Sequence, residues 1–83
     1  MEEKRVGVIG IVIEDPQKVQ EKLNSYISQA GDIVIGRLGV PYGTRNVAVL
    51  AILVDGTNDA INTLTGQLGS IPGVKVRAAL TKA

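Results

Sequence analysis

Asn46-Val-Ala-Val-Leu-Ala-Ile-Leu-Val54 sets eight aliphatic residues in a row behind one asparagine. Pro41-Tyr-Gly-Thr44 precedes the run and Asp55-Gly56 follows it. Its Val and Ile content and the turn formers on either side favour a strand over a helical segment. A strand apolar at both parities is buried on both faces. Asp55-Gly56 is expected to stop this strand. The turn at Pro41 to Thr44 is expected to join it to Asp32-Ile-Val-Ile-Gly-Arg-Leu-Gly-Val40 as a hairpin.

Working outward, Arg5-Val-Gly-Val-Ile-Gly-Ile-Val-Ile13 is another strand apolar on both sides, with Gly7 and Gly10 as points of close backbone approach. Asp15-Pro16 then opens a helix, with Asp15 as N-cap and Pro16 in the first turn. Val19, Leu23, Tyr26, Ile27 and Ala30 keep to one helical face, and Gly31 is the expected stop. After the long strand, Thr57 or Asn58 caps a second helix that carries Ile61, Leu64, Leu68 and Ile71 and contains Gly66. Ser70-Ile-Pro-Gly73 closes it. Val74, Val76, Ala78 and Leu80 then alternate with Lys75, Arg77, Ala79 and Thr81, as in a half-exposed strand.

The order βαββαβ, with right-handed crossovers around a hairpin, gives an α+β ferredoxin-like sandwich. Its four-stranded antiparallel sheet has strand order 4-1-3-2, with both helices on one face. A single domain over residues 1–83 is expected. The topology places strands one and three in the centre, and these are the two that read apolar front and back. Helices shield only the front. The rear face therefore presents aliphatic side chains that need a cover, and a second copy packed sheet against sheet supplies it. Either parity of strand three is apolar. The bulkier Ile9, Ile11 and Ile13 are assigned to the helix side. Val6, Val8, Val12, Val47, Val49 and Leu53 are assigned to an oligomer interface, dimeric or tetrameric.

Composition supports this reading and removes others. Among 83 residues, 45% are hydrophobic and 20% charged, with no Phe, Trp, Cys or His. So small a body hides only about 60–65% of its unfolded surface, less than this much apolar material asks for. Without Cys or His there is no thiol chemistry, no imidazole base and no transition-metal site of the usual kind. Glu14 and Asp15 are adjacent carboxylates, but in a strand-to-helix turn they read as cap and solvated charge. No catalytic residue, metal site or cofactor is expected. The short apolar stretch at residues 6–13 lacks a cleavage site and no run is long enough to span a bilayer, so a cytoplasmic location is expected. The ten glycines form no phosphate-loop pattern. An RNA-binding open sheet would carry aromatics on its central strands, and these strands have none. Lys75, Arg77, Arg37 and Arg45 read as a solvated rim that discourages edge-to-edge aggregation.

Two segments, Arg37-Leu-Gly-Val-Pro41 and Leu64-Thr-Gly-Gln-Leu-Gly-Ser-Ile-Pro-Gly-Val74, taken with the element order and length, resemble the small family of iron-only hydrogenase system regulators. The match runs essentially end to end through glycine and aliphatic positions. That family is similar in fold to ACT-type regulatory domains and to the C-terminal half of nickel-responsive repressors. The resemblance implies a stand-alone, homo-oligomeric, ACT-like regulatory domain, transcriptional or otherwise, that acts by binding a small-molecule effector such as an amino acid, or a protein partner. Two departures limit it. The His and Cys that hold nickel in the repressors are missing, and the four residues before Arg5 are too few for their DNA-binding segment. ACT domains place an Asp-x-Pro-Gly-like turn after the first strand. Asp15-Pro16 resembles it, but Gln17 stands where a glycine would help. If the chain holds an effector, the expected site is Glu14, Asp15, Pro16 and Gln17, with Arg37 and Gly39 of a neighbouring subunit, Arg37 pairing a carboxylate. An assembly domain without a ligand site, and a weak nucleic-acid binder through the basic rim, remain the alternatives.

Overall fold

The structure, a computed structural model, describes residues 3–82, with the side chain of Lys82 left aside. In chain order the elements are β1 (Lys4–Glu14), α1 (Pro16–Gln29), β2 (Val34–Tyr42), a 3-10 turn (Gly43–Arg45), β3 (Val47–Thr57), α2 (Asn58–Gly69) and β4 (Val74–Lys82). The four strands form one antiparallel sheet in the order β2-β3-β1-β4, the ferredoxin-like arrangement expected from the sequence.

Both helices lie on the face lined by Ile9, Ile11 and Ile13 of β1 and Leu50, Ile52 and Val54 of β3, all buried. Leu23 and Ile27 come down from α1, and Ile61, Leu64 and Leu68 from α2, with Val19, Tyr26 and Ala30 packed at the margin. The core is wholly aliphatic, and no polar side chain is buried among the described residues. The parity ambiguity of the central strands is thereby resolved: the isoleucines of β1 and Leu50, Ile52 and Val54 of β3 fill the space beneath the helices.

Several local expectations are corrected. Asp55-Gly56 does not end β3, because β1 starts early enough to pair Val6 with Asp55, Arg5 with Gly56 and Lys4 with Thr57. Gly56 serves packing instead: a Cβ there would lie 2.7 Å from Cγ2 of Ile33. Pro41 and Tyr42 belong to β2, paired with Ala48 and Val47, and the reversal falls on residues 43–46. An edge strand tolerates Pro41 because its missing N–H lies on the side with no partner strand. β2 begins at Val34 rather than Asp32, and a register shift between Val34 and Gly36 marks a bulge at Ile35.

Asp15 does not cap α1 with its side chain. Its backbone is left-handed, at φ 47° and ψ 62°, and its carboxylate accepts a hydrogen bond from Asn46 Nδ2 at 3.0 Å. α1 ends at Gln29 with Ala30 as C-cap, one position ahead of Gly31. At α2, Thr57 is the cap, its Oγ1 accepting from the Ala60 N–H at 3.2 Å.

Candidate functional site

The helix-free face of the sheet is built in rows by strand register. Val8 lies between Leu53 on β3 and Ala79 on β4, and Val12 between Val49 and Lys75. Val6 and Val47 occupy opposite ends of the same face, across from Asp55 and Glu14. All six residues assigned to an interface thus share one side of the sheet. Four of them, Val8, Val12, Val49 and Leu53, are large hydrophobics left exposed.

The sequence reading missed the most exposed part of this face. Ile35 and Leu38 are 63% and 67% exposed, against 37% for Val8, and Val40 and Tyr42 are also open. Leu38, Val40 and Tyr42 face the open side through their register with Ala51, Val49 and Val47. Their shared parity in the second strand was a signal that could have found them. The bulge beside Ile35, which brings its side chain next to Leu53 and Val8, left no mark in the sequence. The apolar patch therefore leans toward the β2 edge. Lys75 and Arg77 border it on the β4 edge.

The six residues assigned to a ligand site are divided by the fold. Glu14 and Asp15 line a cleft of about 490 Å³ between α1 and the loop after α2, with Lys18, Lys22, Pro72 and Gly73. The Glu14 N–H donates to the Gly73 carbonyl at 2.8 Å, tying β1 to that loop. Pro16, Arg37 and Gly39 line a different groove of about 330 Å³, between α1 and the helix-facing side of β2. Gln17 is exposed and lines neither. The structure thus brings Arg37 and Gly39 next to Pro16 of their own chain. The β2–β3 hairpin folds back beside the start of α1, where Asn46 Nδ2 donates to Asp15 Oδ1. In this groove Arg37 Nη2 donates to Asn24 Oδ1 at 3.4 Å, a long bond.

Among the described residues no group of three or more acidic side chains is disposed to hold a metal ion. No helix of the described chain is long and apolar enough to cross a membrane.

The model of the TM1266-like family, described as "Iron-only hydrogenase system regulator, putative", matches residues 5–78. The chain belongs to that family. This TM1266-like chain is 32% identical to the uncharacterized protein TM1266 from Thermotoga maritima, and their structures agree with a TM-score of 0.91. The alignment covers 96% of this chain and 100% of the other. A nitrogen regulatory PII-like protein, CPII from Thiomonas intermedia K12, is 16% identical with a TM-score of 0.54, over 95% of this chain and 92% of that one. Its apo form gives 14% and 0.53, over 100% and 99%. At such identities the likeness is one of fold. No curated protein matches the chain.

Proposed function

We propose that this TM1266-like chain is a homo-oligomeric regulatory domain of an iron-only hydrogenase system, assembled through the open face of its sheet and responsive to a small molecule or a protein partner. One observation carries the reading. Eight large hydrophobic side chains, each between 37% and 67% exposed, lie on one side of a four-stranded sheet. Together they leave an apolar area on the order of 700 Å², above the roughly 300–600 Å² of a typical monomer's largest patch. A standard interface takes about 800 Å² from each partner, so one further copy matches the patch in size. Two such faces stack about 10 Å apart, as sheets do in sandwiches. Lys75 and Arg77 then fall at the rim, where charges remain hydrated.

The PII-like relative CPII is described as bound to ADP, AMP and bicarbonate. A small-molecule effector is in keeping with that fold-mate. With no His and no Cys, the chain has neither an imidazole base to activate a hydroxyl nor a thiol nucleophile, and a binding role accords with that.

Sedimentation analysis at micromolar concentration tests assembly. The wild-type chain is expected at a multiple of 8.7 kDa and Leu53→Lys at the monomer mass. A monomeric wild type overturns the reading. The regulatory role is tested in a strain lacking the gene: the wild-type chain, but not the Leu53→Lys variant, is expected to restore normal hydrogenase activity.

A further inference from the structure

The groove between α1 and β2 has a composition that selects its occupant. Its floor and walls are apolar, formed by Leu23 and Leu50 with Pro16, Pro41 and Ala48. Gly39 keeps the floor clear, since a Cβ at that position would stand 3.4 Å from Leu50 Cδ1 and project into the space. Three polar side chains reach the groove, Gln20, Asn24 and Arg37, and no acidic residue lines it. Arg37 has no carboxylate partner among the described residues and is held only by the long bond to Asn24. A guanidinium beside apolar walls, with its fork of donors largely unused, is complementary to a carboxylate carried on an aliphatic body.

The same inventory rejects other ligands. An α-ammonium group would find no carboxylate in the groove, which disfavours free amino acids. A phosphate would meet a single cation in the groove, Arg37, and Pro16, which opens α1 there, has no N–H to offer it. We propose that this groove binds a short-chain aliphatic carboxylate, held by Arg37 and Asn24 with its hydrocarbon part over Leu23 and Leu50. This rests on the reading of an effector-responsive regulator and names the effector's class. It places the ligand within one chain, in a groove whose lining also includes Val40 and Val49 and which therefore adjoins the proposed interface at the β2 edge.

The test compares isovalerate, isovaleramide and valine, which share one branched chain and differ in headgroup, by two-dimensional amide spectra and calorimetry. Isovalerate is expected to give saturable shifts at Asn24, Arg37, Gly39 and Leu50. Isovaleramide, which lacks the anion that pairs with Arg37, and valine, whose ammonium group is left without a partner, are each expected to bind at least about tenfold more weakly. Arg37→Gln, at an exposed position, is expected to weaken isovalerate by a similar factor without changing the circular dichroism spectrum. The proposal is overturned if isovalerate does not saturate, if valine matches it, if the shifts map elsewhere, or if Arg37→Gln binds as wild type. Sedimentation of the same samples separates the two readings: an intact oligomer that fails to bind the acid loses the site and keeps the assembly.

Discussion

Asn46 Nδ2 donates a 3.0 Å hydrogen bond to Asp15 Oδ1. These two residues are the non-glycine positions with positive φ in the described chain, at 51° and 47°. Each stands at a reversal, Asp15 between β1 and α1 and Asn46 at the end of the β2–β3 turn. Asn and Asp tolerate this conformation better than other residues with a Cβ. Asn46→Ala is therefore expected to cost about 2 kcal/mol, from backbone strain plus the lost bond. Asn46→Gly loses the same bond but fits the backbone, and is expected to cost less. Urea midpoints at one fixed protein concentration rank the two, and equal costs would show that the backbone conformation is not what matters.

The patch leans toward β2, and that asymmetry makes a graded expectation for assembly. Leu38→Lys is expected to dissociate the oligomer as fully as Leu53→Lys, because Leu38 is the most exposed large hydrophobic of the face. Ala79→Lys, next to the charged β4 margin, is expected to leave it largely intact. Light scattering after size exclusion distinguishes these outcomes, with circular dichroism confirming the fold.

Two glycines are expected to respond to alanine with opposite signs. A Cβ at Gly7 would collide with the Ala79 carbonyl and crowd the Leu80 side chain across the β1–β4 pair, whereas one at Gly66, exposed on α2, meets nothing within 4 Å. Gly7→Ala is expected to destabilise by about 3 kcal/mol or more, since backbone blocks the relaxation that eases ordinary overpacking. Gly66→Ala is expected to stabilise by about 1 kcal/mol through helix propensity. Thermal melts measured side by side check both.

Thr57 accepts the Ala60 N–H at the start of α2. Thr57→Ala is expected to lose about 1 kcal/mol, and Thr57→Ser to remain close to wild type. Hydrogen exchange at the first amides of α2 locates the effect.

The topology was legible because long aliphatic runs and helical spacing are global signals. The central strands show as Asn46 to Val54 and Arg5 to Ile13 without reference to any neighbour. What escaped were features fixed by partners across the sheet. Gly56 looks like a turn residue until Ile33 is seen packed against it, and Asp15 looks like a helix cap until Asn46, thirty-one positions away, claims its carboxylate. The sequence groups Glu14 to Gln17 as one turn through its resemblance to ACT domains, with Arg37 and Gly39 expected from a neighbouring subunit. Strand register divides them instead, sending Pro16 toward Arg37 and leaving Glu14 beside the loop that follows α2.

Arg37 and Leu38 are joined by one peptide bond and project from opposite sides of the edge strand, one toward Asn24 of α1 and the other into the exposed patch. Any displacement of the strand that follows the guanidinium carries the leucine with it. The shortest route by which an event among the helices reaches the rear of the molecule is therefore the thickness of the chain itself, with no relay of side chains between.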